Sequence, residues 1–127
     1  MIMNDRKKVL IVDDDERYAG QVAQFLGRHG YETLMAENVQ QAMALYAGHS
    51  PDCLVTDCCI GDESGAELAE QVIDYGKKSD RKTRIVLMSD AEIDAYKNLE
   101  HLGVDAFYYK RDDLSKLLEK LNGEQNV

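Results

Sequence analysis

The 127-residue sequence predicts an α/β fold: a five-stranded parallel sheet with helices on both faces. Three observations predict it. Short apolar runs alternate five times with amphipathic helical patterns, the alternation that builds strand–helix–strand units. The first run, Val9-Leu10-Ile11-Val12, is apolar at every position, as a strand covered on both faces requires. The links between runs are short, which implies right-handed crossovers and parallel neighbours.

The elements follow in order. After the first strand, Tyr18, Val22, Phe25 and Leu26 fall on one helical face, and Gly27 and Gly30 end that helix. Tyr31 to Ala36 reads as a second strand. Asn38, with Gln41 three residues on, has the spacing of a capped helix start, and Val39, Ala42, Met43 and Tyr46 form its apolar face. Gly48 and Pro51, the only proline, close that helix before a third strand, Cys53-Leu54-Val55-Thr56. Ser64 and Glu67 open a third helix carrying Leu68, Val72 and Ile73. A polar loop from Gly76 to Lys82 leads to a fourth strand, Ile85-Val86-Leu87-Met88. A fourth helix carries Ile93, Tyr96 and Leu99, stops near Gly103 and gives way to a fifth strand from Val104 to Tyr109. Leu114, Leu117, Leu118 and Leu121 align on a fifth helix, and residues 123–127 read as a frayed tail. The whole is a (βα)5, doubly wound, flavodoxin-like arrangement: one domain over residues 1–127 with its core at about 7–122.

Composition narrows the function. With 15 Lys+Arg against 24 Asp+Glu the net charge is −9, which repels phosphate backbones and argues against direct nucleic-acid binding. No apolar run is long enough to span a membrane, and the first residues lack the apolar stretch of a secretion signal. Cys53, Cys58 and Cys59 are odd in number, form no C-x-x-C pair and share one apolar stretch. They read as small buried strand residues, reduced, in a cytoplasmic protein.

In such a sheet the functional crevice lies outside the carboxyl ends of the strands. The first strand ends in Asp13-Asp14-Asp15, the third at Asp57, the fourth at Ser89 and the fifth at Lys110. Each alone has an ordinary explanation: Asp14 or Asp15 as a helix cap, Ser89 with Glu92 as a capping box, Lys110 as a solvated lysine. Together they converge. Two carboxylates about 5 Å apart repel by roughly 3 kcal/mol at an effective dielectric near 20, so Asp13, Asp14 and Asp57 need neutralising. A hard divalent cation such as Mg²⁺, a raised pKa or the lysine would do it. A carboxylate in that setting, faced by a hydroxyl and an ammonium, can receive a phosphoryl group.

Val12-Asp13-Asp14 after the first strand, Asp57 after Pro51-Asp52-Cys53-Leu54-Val55-Thr56, Ser89 and Lys110 make the chain resemble the receiver domains of two-component response regulators. The resemblance covers about residues 7–122. It implies that Asp57 accepts phosphate from a phosphohistidine of a sensor histidine kinase or a phosphotransfer protein. It implies that Mg²⁺ is held by Asp14, Asp57 and the backbone carbonyl of Cys59, with Asp13 acting through a water. It makes Ser89 the switch hydroxyl, Lys110 the partner of the phosphoryl group and Phe107 the aromatic that turns inward. Phe107 as a plain core residue is an equal reading. The face formed by the fourth helix, fifth strand and fifth helix becomes the docking surface for a downstream protein, with Tyr96, Tyr108 and Lys116 as candidates. The resemblance implies no enzyme beyond the domain's own phosphoryl transfer and dephosphorylation.

Some residues depart from the family pattern. Arg111 follows Lys110 where proline is usual, and a non-proline cis bond costs about 2.5–4 kcal/mol, so a trans bond and a rearranged loop are expected. Gly61 stands where the loop after Asp57 usually has proline, adding flexibility. Asp90 stands where a small residue usually leaves room for phosphate. Arg111 and Asp90 support an alternative, a receiver-like module that binds partners without phosphorylation. A further alternative is enzymatic: Asp13-x-Asp15 loosely resembles the haloacid-dehalogenase-like phosphatases. Against that stand Arg17 where Thr or Val is expected, the short chain and an Asp57 with no role.

Overall fold

The computed structural model describes residues 6–90 and 103–123. Among the described residues seven strands form: β1 (Lys8–Val12), β2 (Glu32–Ala36), β3 (Cys53–Asp57), β4 (Cys59–Ile60), β5 (Glu63–Ser64), β6 (Arg84–Ser89) and β7 (Ala106–Tyr109). The described helices are α1 (Glu16–Arg28), α2 (Val39–His49), α3 (Gly65–Lys78) and α4 (Leu114–Leu121). The last of these is the fifth helix of the sequence reading. The expected helix around Ile93, Tyr96 and Leu99 and the end of the expected frayed tail lie outside the described residues.

The main sheet is parallel throughout, in the order β2-β1-β3-β6-β7. The order reverses direction at the β1–β3 junction, the place where open sheets of this kind leave a crevice. Val9 to Val12 are all fully buried because helices cover both faces. Val9, Ile11, Val55, Val86, Met88 and Tyr108 pack against α1 and α4 through Ala19, Val22, Leu26, Leu117 and Leu121. Leu10, Val12, Leu54 and Ile85 pack on the other side against α2 and α3 through Ala42, Tyr46, Leu68, Ala69 and Val72. Each fully buried Val, Leu, Ile or Met side chain among them contributes about 1.5–3 kcal/mol by leaving water.

The helix starts are as the caps require. The side chain of Asn38 accepts from Gln41 N at 2.8 Å, and Ser64 Oγ accepts from Glu67 N at 3.2 Å. Asp113 Oδ1 accepts from Ser115 N at 2.8 Å at the start of α4. These bonds occupy amide groups that have no partner within the helix.

Several expectations need correction: α3 runs on to Lys78, so the polar loop starts after it and not at Gly76. β7 begins at Ala106 and not at Val104, because Asp105 pairs with Ile85 through its carboxylate: Ile85 N donates to Asp105 Oδ2 at 2.8 Å, and Asp105 N donates to Ile85 O at 2.9 Å. The stretch after Asp57 contains a two-stranded antiparallel hairpin, β4–β5, pairing Cys59 with Ser64 and Ile60 with Glu63. Gly61 supplies the left-handed φ of +64° at its turn, which a side chain would resist. Tyr108 is 1% exposed and lies in the core against α1 and α4, so it cannot belong to a docking surface. Its hydroxyl donates to Asp112 O at 2.6 Å. Lys116 is exposed, and Tyr96 lies outside the described residues.

Candidate functional site

Backbone bonds tie the strand ends into one crevice. Asp13 N donates to Ala36 O at the end of β2 (3.1 Å), and Cys58 N donates to Met88 O of β6 (2.9 Å). Lys110 N donates to Ser89 O (2.8 Å), and Gly65 N donates to Cys58 O (2.8 Å). These links bring the ends of four strands, which carry Asp13, Asp57, Ser89 and Lys110, to one edge of the sheet.

The three consecutive aspartates have different positions. Asp15 caps α1, accepting from Tyr18 N at 3.2 Å. Asp13 is buried, and its Oδ1 accepts from Asp15 N at 2.9 Å. Asp14 is exposed at the mouth. Lys110 Nζ donates to Asp13 Oδ2 and to Asp57 Oδ2, both at 2.8 Å. Side-chain exposure is 9% at Lys110, 0% at Asp13 and 15% at Asp57. Ser89 is buried at the end of β6.

Burial pushes the Asp13 carboxyl above its ordinary value, against the lowering effects of Lys110 and the Asp15 amide. Burial alone would lower Lys110, but its bonds to Asp13 and Asp57 hold the ammonium above the ordinary lysine value. One ammonium thus serves a cluster in which Asp13, Asp14 and Asp57 each offer an oxygen within 4.8 Å of the others. That is an all-oxygen donor set with charge left to neutralise, which suits a hard cation. Lys110 takes Oδ2 of Asp13 and of Asp57. Among the described residues the remaining Asp57 oxygen has only a long contact from Cys59 N, at 3.4 Å.

The departures from the family pattern leave this geometry intact. No peptide bond among the described residues is cis, and Lys110 reaches the carboxylates through a trans bond to Arg111. Asp90 and Arg111 are both exposed. Phe107 is partly buried and alternates with Ala106 and Tyr108, which face the α1–α4 core, so its side chain is on the other face of the sheet. The sequence reading missed one neighbour: Lys110 Nζ lies 4.7 Å from the centre of the Tyr18 ring. Helical spacing had marked Tyr18 only as an apolar-face residue.

The cysteines divide, against expectation. Cys53 and Cys58 are buried, but Cys59 is exposed in the hairpin. Burial pushes the thiols of Cys53 and Cys58 up to about 11 and about 12. A hydrophilic thiol reagent at mildly alkaline pH should therefore label the native protein once, at Cys59, and all three cysteines only in denaturant. Peptide mass mapping reads this out, and rapid native labelling of Cys58 would contradict the packing.

Comparison with known proteins places the chain. A family model described as "Response regulator receiver domain" matches residues 9–122. The phosphate regulon transcriptional regulatory protein PhoB of Pseudomonas aeruginosa is 41% identical over 66 residues, 52% of this chain. The chain spans only 29% of that relative's length. Sporulation initiation phosphotransferase F of Bacillus subtilis is 26% identical over 117 residues, which cover 91% of this chain and 90% of that protein. Among solved structures, a response regulator from Burkholderia pseudomallei, crystallised with a phosphorylated aspartic acid, calcium ion and citrate, is 27% identical. It superposes with a TM-score of 0.79 over 91% of this chain and 66% of its own.

Proposed function

Since the chain belongs to the response regulator receiver domain family, we propose that Asp57 is the residue that accepts a phosphoryl group in it. Phosphorylation-based signalling is the business of the family; the choice of residue rests on geometry. The observation that carries it is the position of Lys110 Nζ, 2.8 Å from both Asp13 Oδ2 and Asp57 Oδ2 at the carboxyl edge of the sheet. The alternative of a module that never takes phosphate has no support from this arrangement, because the trans loop still delivers the lysine.

In the proposed reaction an Asp57 oxygen attacks phosphorus in a phosphohistidine. The O–P bond forms, the P–N bond breaks, and the electron pair returns to the imidazole nitrogen. Lys110 then exchanges its contact with Asp57 for one with the phosphoryl oxygens, neutralising charge that grows during transfer. Ser89 gives those oxygens a hydroxyl from the adjacent strand end, and its shift, with that of Phe107, is the proposed switch. Asp14, Asp57 and the Cys59 carbonyl would hold Mg²⁺, with Asp13 one water removed. Bound there, the cation would supply positive charge that offsets the negative charge of the phosphoryl oxygens.

The phosphate source in this proposal is a sensor histidine kinase or a phosphotransfer protein. The output is a protein partner on the face that includes β7 and α4, where Lys116 is exposed. The free thiols fit a reducing cytoplasm. No described helix is long and apolar enough to cross a membrane, and the charge of −9 disfavours nucleic acid. The unit proposed to act is a single receiver domain with its core at about 7–122.

The test is intact mass after incubation with a small phosphodonor and Mg²⁺. The wild type should gain one phosphate and Asp57→Asn none. Equal gain in both would remove Asp57 from the role.

A further inference from the structure

We propose that Tyr18 is a positioning residue for phosphoryl acceptance: its ring face confines the Lys110 ammonium over the Asp13–Asp57 pair. The proposal rests on the reading of Asp57 as acceptor. Lysine has a flexible four-carbon stem and three rotatable donors, so something must hold its tip in one place. Its backbone is fixed by the bond from Lys110 N to Ser89 O at 2.8 Å. The turn that follows is closed by Asp112 N donating to Tyr109 O (2.9 Å) and by the Tyr108 hydroxyl donating to Asp112 O (2.6 Å). At the tip, Asp13 and Asp57 accept from Nζ, and the Tyr18 ring lies beside it, 4.7 Å from Nζ to the ring centre. An ammonium in that position is attracted by the ring's negative face, more so where water is excluded.

Tyr18 is itself well anchored. It sits in the first turn of α1, where its amide donates to the capping Asp15 carboxylate at 3.2 Å. Its buried hydroxyl lies beside that of Tyr108, which already donates to Asp112 O, and makes no hydrogen bond of good geometry among the described residues. What the side chain brings to the site is the ring. Once Asp57 carries phosphate, its Oδ2 no longer serves Lys110 as a simple carboxylate. Asp13 and the Tyr18 ring are then the contacts that keep the ammonium aimed at the new anion.

The experiment compares wild type, Tyr18→Phe and Tyr18→Leu. Phenylalanine keeps the ring face and removes a buried unpaired hydroxyl, which costs little; leucine fills the space without a π face. The first measurement is acylation of Lys110 by a water-soluble amine-reactive ester, followed by peptide mass. Lys110 should acylate about tenfold faster in Tyr18→Leu and within about twofold of wild type in Tyr18→Phe, the scale of a partly desolvated cation–π contact. The second is the rate of phosphate gain from a small phosphodonor. Its maximal value should fall about tenfold in Tyr18→Leu with the half-saturating donor concentration unchanged, and Tyr18→Phe should match wild type. The proposal is overturned if leucine protects Lys110 as well as tyrosine does, or if phenylalanine fails as leucine does. Should Tyr18→Leu not fold, Tyr18→Met replaces it with the same two outcomes. A wild type that never gains phosphate defeats the reading of Asp57, whereas the acylation pattern still decides Tyr18.

Discussion

Gly65→Ala should destabilise the protein by about 3 kcal/mol or more, because the clash it creates involves backbone alone. A Cβ at Gly65 would lie 1.9 Å from Asp57 O, 2.9 Å from Asp57 C and 3.1 Å from Cys58 Cα. No rotamer change relieves such a contact. The Gly65 amide is also bonded to Cys58 O at 2.8 Å, so α3 and the end of β3 are held together at this point. The start of α3 would have to move away from β3, and Asp57 would move with it. The control is Gly20→Ala on α1, where a Cβ meets nothing within 4 Å. There the change should be stabilising by about 0.5–1 kcal/mol, since alanine favours a helix interior. Urea denaturation of both variants measures the difference. A loss at Gly65→Ala of under about 1 kcal/mol would mean that the β3–α3 junction yields easily and does not hold the acceptor.

Lys110→Met should cost about 3 kcal/mol near neutral pH in the presence of a chelator, the scale set by removing one partner from a buried ion pair. Methionine keeps most of the stem and deletes the charge. Asp13, with a side chain 0% exposed, then faces Asp57 without an ammonium between them. The sign with pH follows from the shifts. The Lys110 ammonium is held above its ordinary value, so its contribution is fully present below that ordinary value and is lost only as pH rises through the folded one. Near neutrality the wild type therefore has all of it. The Asp13 carboxyl is already raised by burial, and a raised carboxyl loses stability as pH rises through its folded value. Without Lys110 the deficit should shrink on acidification, as Asp13 takes up a proton. Lys110→Met combined with Asp13→Asn should recover most of the loss. Denaturation curves at about pH 5 and near neutrality, both above the ordinary aspartate value and below the ordinary lysine value, measure both effects. Equal stability of Lys110→Met and wild type near neutral pH would show that the lysine does not compensate the cluster.

Much of the site was legible before any coordinates. The strand ends were readable because an apolar run buried on both faces has sharp limits, and Asp13, Asp57 and Ser89 stand at those limits. Asp14 was readable as one of a converging set, and the set does converge. Other features left no local trace. The β4–β5 hairpin pairs only two residues on each side, too few for an alternating pattern, so Cys59 was grouped with its buried neighbours and is exposed. Tyr108 was assigned to a surface because its strand borders one; the twofold alternation of β7 turns it into the α1–α4 core instead. Tyr18 carried a helical-face signature that is identical whether the ring meets a leucine or an ammonium.

The sequence alone determined the fold class, the order of the strands and helices it could see, the capped helix starts and the identity of the residues at the sheet's carboxyl edge. Those depend on hydrophobic period and on hydrogen bonds spanning a few residues, which are written locally. The tertiary structure alone decided that Lys110 pairs with Asp13 and Asp57, 97 and 53 residues away in the chain, that Tyr18 lies against its tip, and that Gly65 admits no side chain. These depend on parallel register and on how closely a helix seats on a strand end. A shift of a few tenths of an ångström there changes a contact into a clash, and no periodicity in the chain encodes a distance that small.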